Sequence, residues 1–143
     1  MLHRLRPLRS LVLAAAACAA FAAHAETASP AGAAAYIISP ADGATVSNPV
    51  TVRFGLRGMG VAPAGVERAD TGHHHLLIDV DSLPAPGMPI PADDKHRHFG
   101  GGQTETTLEL PPGKHTLQLL LADHAHMPHN PPVVSERITI TVE

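Results

Sequence analysis

Residues 104–122 read TETTLELPPGKHTLQLLLA, and this stretch decides the fold class. Before the prolines, Thr106, Leu108 and Leu110 alternate with Glu105, Thr107 and Glu109. Pro111-Pro112-Gly113 then turns the chain into a second alternating run, His115, Leu117, Leu119 and Leu121. Alternation with a period of two, broken by Pro and Gly, is how strands with one face in a core read.

The same period recurs on both sides of this stretch. Tyr36-Ile37-Ile38 is a short strand closed by the turn Ser39-Pro40-Ala41-Asp42-Gly43. Val50, Val52, Phe54 and Leu56 alternate with Thr51, Arg53 and Gly55. His74, Leu76, Ile78 and Val80 alternate with His73, His75, Leu77 and Asp79. At the end of the chain Ile138, Ile140 and Val142 stand opposite Arg137, Thr139 and Thr141. No stretch carries a useful helical period. Trp is absent and aromatics are 3% of the chain, so the core has to be built from Leu, Ile and Val. About six or seven short strands in one domain predict an all-β, immunoglobulin-like antiparallel sandwich, with a jelly roll or small barrel as the alternative. Two long connections, 57–72 and 81–103, interrupt the pattern, and loops of that length in a compact domain carry function or move.

The N-terminus reads differently. Arg4, Arg6 and Arg9 precede an apolar run, and Ala23-His24-Ala25 ends it with small residues flanking a cleavage point. That order predicts a cleavable signal peptide over residues 1–25, too short and alanine-rich to serve as a membrane span. A flexible tail over 26–34 and the sandwich domain over 35–143 follow. Periplasmic or secreted localisation is the expectation, without a membrane span after cleavage. Cys18 sits in a poor lipobox, Ala15-Ala16-Ala17 before it and more apolar chain after it, which argues against a lipoprotein.

From residue 26 onward the chain has all 13 acids but seven basic residues, a formal charge of −6. This leaves no basic footprint for nucleic acid. The one cysteine lies within the signal, so neither a disulfide nor a thiol nucleophile remains. Nine of the 11 histidines lie after residue 25.

Those histidines fall in groups that the sandwich brings together. A strand beginning with His73-His74-His75 descends from one end. If the Pro-Pro-Gly turn lies at the other end, the strand after it climbs back and delivers Asp123-His124-Ala125-His126-Met127-Pro128-His129. The strand from Thr104 starts at the first end too, after His96-Arg97-His98-Phe99 and Gly100-Gly101-Gly102. Three groups therefore converge, and His115 falls at the far end. In an extended segment residues i and i+2 share a face, so His73 with His75, and His96 with His98, can reach one ion. Imidazole without thiolate suits copper or zinc. The candidate metal ligands are His73, His75, His96, His98, His124, His126 and His129, with His74 and Met127 as secondary candidates. Asp70, Glu105 and Asp123 are candidate oxygen ligands, or acceptors that fix the imidazole tautomers. Each group also has a plain structural reading: His74 as a core ring, His73 and His75 as a solvated face. The triple glycine precedes a strand, which removes the helix-terminus argument for a phosphate site.

The segments GMGVAPAG (58–65), TGHHHLLID (71–79), HFGGGQTETTLELPPGKHTLQLLLAD (98–123) and HMPHNPPVVSERITITV (126–142) resemble a family of small exported proteobacterial domains catalogued only as a domain of unknown function. The resemblance implies export and an immunoglobulin-like sandwich, and it brings no established activity. The functional expectation is a histidine-rich exported domain that binds copper or zinc as a buffer, carrier or sensor. The alternative is a non-catalytic envelope module whose loops contact another envelope protein. No nucleophile or paired carboxylates point to an enzyme, although an open histidine site can activate water.

Overall fold

A computed structural model describes residues 25–143; the expected signal peptide falls on residues 1–24 and Ala25, almost wholly outside that range. Nine strands follow in order: β1 (Ala34–Ser39), β2 (Thr45–Val46), β3 (Val50–Arg57), β4 (Gly60–Val61), β5 (Thr71–Ile78), β6 (His96–His98), β7 (Glu105–Leu108), β8 (Gly113–Ala122) and β9 (Ile138–Val142). Among the described residues there is no α-helix, hence none long and apolar enough to cross a membrane.

The strands form two sheets. The smaller has the order β1-β3-β7, and the larger β2-β9-β8-β5-β4, with β6 also paired to β5. Long strands pair antiparallel; the parallel pairs β2–β9 and β4–β5 involve two residues each. The first, third and seventh strands thus face the last, eighth and fifth, which is the immunoglobulin-like arrangement. The Pro111-Pro112 turn is no hairpin. It carries the chain from β7 in one sheet to β8 in the other.

Alternation within the strands places the core. Val50, Val52 and Phe54 from β3 meet Leu76 and Ile78 from β5, Leu117, Leu119 and Leu121 from β8, and Ile138, Ile140 and Val142 from β9. These side chains are 0–8% exposed. Burying one such Leu or Ile contributes about 1.5–3 kcal/mol.

A second cluster lies on the opposite face of the larger sheet. Leu77, Leu120 and Ala122 are covered there by Ile90, Val80 and Val134. Ile90 and Val80 come from the long connection after β5, and Val134 from the one before β9. Backbone bonds Leu121 N–H to Val133 O (2.9 Å) and Ile90 N–H to His126 O (3.1 Å) hold the covers down. The residues expected as a tail make contacts as well. Ala28 bridges Asn130, Ser29 N–H donates to Asn130 O, and Asn130 N–H donates to Thr27 O.

His74 is the anomaly of the main core. It points between the sheets, 0% exposed, its ring 5.3 Å from that of Phe54. Both ring nitrogens lack a hydrogen-bond partner. A buried unsatisfied polar group costs about 1–3 kcal/mol. His74→Leu is therefore expected to raise stability by about 1–2 kcal/mol, read as a higher urea midpoint at unchanged slope. A lower midpoint would show that the ring has a partner in solution.

Candidate metal centre

The register of three strands assembles the site. In β5–β8, His73 stands opposite Ala122 and His75 opposite Leu120; in β5–β6, His75 stands opposite His98. His73, His75 and Leu77 share the outer face of the larger sheet, while His74, Leu76 and Ile78 face the core. At Ala122 the chain leaves β8 and turns back, which brings His126 over the same face.

Four imidazoles meet there. Ring centres of His73 lie 4.9 Å from His75, 5.0 Å from His98 and 5.1 Å from His126. His98 lies 5.1 Å from His75 and 4.8 Å from His126, with Nε2 atoms 3.2 Å apart in the second pair. Nitrogens of His73, His98 and His126 all fall within 4.8 Å of one another, so this trio could hold a metal ion. His73 and His75 are buried floors of the site, whereas His98 is exposed and lines an open groove with Asp93, His96 and Thr106.

Two glycines let the rings approach. A Cβ on Gly100 would lie 2.3 Å from His98 Cε1 and 2.6 Å from its Nε2, so the ring rests on bare backbone. A Cβ on Gly72 would lie 2.6 Å from Ala122 O and 2.9 Å from His129 Cε1, so β5 could not sit this close to β8 with a larger residue.

Asp123 shapes the turn that carries His126. It is 1% exposed, and its Oδ1 accepts the N–H groups of Ala125 (2.9 Å) and Met127 (3.0 Å). Its Oδ2 accepts the Thr27 hydroxyl at 2.6 Å. Burial alone would raise its pKa, but these hydrogen bonds outweigh burial and hold it below the usual carboxylate value. The turn puts His126 at φ 66°, a left-handed conformation uncommon outside glycine.

The electrostatics favour uncharged rings. Burial, reinforced by neighbouring imidazoles, lowers His73 to about 4 and His75 to about 3. Burial and then His126 lower His98. His73 Nδ1 and Nε2, and His75 Nδ1, are buried without a hydrogen-bond partner. Such neutral, unpaired nitrogens are the donor set a transition-metal cation requires.

The remaining candidates stand elsewhere. His96 Nδ1 pairs with Asp93 at 2.7 Å at the rim. His129 is buried, and its Nε2–H donates to Thr71 O at 3.2 Å. His124 lines a separate cleft with Arg68 and Thr71. His74 faces the core, on the wrong side of β5, and Met127 serves the Asp123 turn through its backbone. Glu105, considered as an oxygen ligand, pairs with Arg53 at 3.3 Å on the other sheet. His115 sits at the far end as expected, its Nδ1 2.7 Å from Asp79 and its Nε2–H donating to Pro111 O. The Asp79 bond raises its pKa. The roles of Gly100 and Thr27 were not read from the sequence; a glycine two residues after a candidate ligand was the available signal.

Fold and site together define a small all-β, immunoglobulin-like sandwich with a histidine cluster on the outer face of its larger sheet. Residues 52–143 match the family described as a domain of unknown function, DUF4399, and the chain belongs to that family. No curated protein and no solved structure matches it.

Two measurements check this geometry. Gly100→Ala is expected to push the His98 ring off His126 and abolish their ring-to-ring NMR contacts, while Gly101→Ala preserves them; equal effects would remove the special place of Gly100. In a metal-free pH titration His73, His74 and His75 should remain neutral through pH 5. All three have folded-state values at about 4 or below, under the ordinary 6.5. The unfolded chain then binds protons that the folded chain does not, so stability falls as pH drops from about 6.5 towards about 4. His115 works in the opposite sense: its contribution is present at low pH and is lost as pH rises through its raised value. Unfolding curves between pH 7 and pH 4 that coincide would contradict this.

Proposed function

We propose that this protein is an exported domain that binds a divalent transition-metal ion, copper or zinc, and acts as a buffer, carrier or sensor of it. The observation that carries the reading is the convergence of His73, His98 and His126, from three separate segments, with nitrogens within 4.8 Å of one another. Both His73 nitrogens are buried and unpartnered. An ion would satisfy a nitrogen that otherwise costs about 1–3 kcal/mol to bury. Zinc–nitrogen bonds of about 2.0–2.1 Å require ligand nitrogens about 3 Å apart, as the His98–His126 pair already is, so the distance left to close lies between that pair and His73.

The test is copper and zinc titration of the untagged protein, with His73→Ala, His98→Ala, His126→Ala and His115→Ala. Each of the first three is expected to weaken binding at least tenfold, since even residues that merely orient a ligand are worth about 10–100-fold. His115→Ala should bind like the wild type. An ion at 100 times its dissociation constant should stabilise the fold by about 2.7 kcal/mol. Protons compete for the same nitrogens, so affinity falls with pH. Binding unchanged in all four variants would refute the site. Export rests on the pattern of residues 1–25; intact mass of the protein from the periplasm should give a chain starting at Glu26, and a lipidated form starting at Cys18 would overturn that part.

A further inference from the structure

The distances among the four rings specify a shape as well as a proximity. Five of the six centre-to-centre distances lie between 4.8 and 5.1 Å, and the sixth, His75 to His126, is 6.2 Å. Four imidazoles in a square around an ion would place adjacent ring centres about 4.5 Å apart and both opposite pairs about 6.4 Å apart, given nitrogen bonds of about 2.0–2.1 Å. A tetrahedron on the same bonds makes all six distances equal, at about 5.2 Å. If His75 and His126 were opposite corners of a square, His73 and His98 would be the other long pair. Those rings are 5.0 Å apart. The four ring centres therefore form a tetrahedron stretched along one edge.

His75 supplies the corner that the His73, His98 and His126 trio lacks. Its Nδ1 is buried and has no hydrogen-bond partner, and its strand holds it beside His73 and across from His98. Shortening the one long edge between ring centres by roughly 1 Å, with the four rings turned so that their nitrogens meet, would complete the figure. The two ends of that edge come from different elements, His75 from β5, which is bonded to strands on both sides, and His126 from the 123–127 turn.

Resting on the metal-binding reading above, we propose that His75 is a fourth ligand and that the site is a tetrahedral four-imidazole centre built for zinc rather than for planar copper(II). Zinc imposes no d-electron geometry and takes four ligands tetrahedrally in closed sites, whereas copper(II) and nickel(II) favour tetragonal ones. Copper(II) outranks zinc in raw affinity for almost any such donor set. The distinguishing property is therefore the geometry forced on the ion, not the order of dissociation constants.

Cobalt(II), which reports its coordination number in visible absorption, is the probe, with copper(II) electron paramagnetic resonance beside it. The purified full chain is expected to show the intense bands of four-coordinate cobalt at one equivalent, and a copper(II) signal distorted from planar. His75→Ala and His75→Leu should shift the intense bands, because a water replaces the fourth imidazole, and weaken zinc binding at least tenfold. The Leu variant matches its apolar neighbours Leu77 and Leu120, and circular dichroism confirms that it folds. Weak six-coordinate bands in the wild type, or unchanged bands in a folded His75→Leu, would overturn the tetrahedral proposal and leave the three-histidine reading standing. Absence of cobalt and zinc binding in the wild type would remove both.

Discussion

From Gly72 to Ile78 every residue of β5 is buried, although the strand presents alternate residues to opposite faces. An antiparallel sandwich strand ordinarily has one wet face. Here the connections after β5 and before β9 fold back over the outer face and leave no polar side free. The alternation then sorts the sequence Gly72-His73-His74-His75-Leu76-Leu77-Ile78 into two dry environments. His74, Leu76 and Ile78 face the inter-sheet core; on the outer face Leu77 enters the smaller cluster under Ile90 and Val134, and His73 and His75 lie against His98 and His126. The position of the site, the burial of its rings and the need for Gly72 all follow from that double coverage.

Double coverage also sets the charge state of the site. A buried imidazolium without a carboxylate partner is disfavoured, so desolvation is the leading cause of the low values at His73 and His75. Neighbouring rings push the same way. Asp123 pushes the other way at His73, but its carboxylate is already occupied by Thr27, Ala125 and Met127. The contrast with His115 is instructive, because there a direct carboxylate bond outweighs desolvation and raises the value. One fold therefore holds two histidine environments of opposite sign. The cluster keeps bare nitrogens, and the far end holds a histidine bonded to a carboxylate.

Five of the six main strands were legible because each alternates over four or more residues between turn signals, and β1 because three large apolar residues precede a strong turn. Strands β2, β4 and β6 were not, since two or three residues carry no readable period. Convergence of the histidine groups followed from strand direction alone. Which members meet did not. His96 and His98 share a face of β6, yet only His98 lies opposite His75, and that register is set by pairing that the sequence does not display. Likewise His73 and His75 read equally well as a solvated face, because coverage by distant loops leaves no local mark. His74, read as a possible core ring, is one. Gly100, part of a triple glycine whose sequence suggested no contact, is the surface on which His98 rests.

The third ligand-bearing segment raises a question of preorganisation, since a turn that is ordered only by an ion spends binding free energy on its own ordering. The 123–127 turn is held from several sides without one. Asp123 satisfies two of its backbone N–H groups, the backbone pairs Asp123 N–H to Met127 O at 2.9 Å and His126 N–H to Asp123 O at 3.0 Å close it, and Gly65 N–H caps it at His124 O. Thr27 then anchors the carboxylate from the N-terminal side, and Asn130 ties residues 27–29 to the chain just beyond the turn. His126 can accordingly occupy a left-handed conformation that an unsupported loop would abandon. The floor of the site is fixed by the β-ladder and its roof by this carboxylate-centred turn. What remains adjustable is the gap between them, the one dimension along which an entering ion has to draw the rings together.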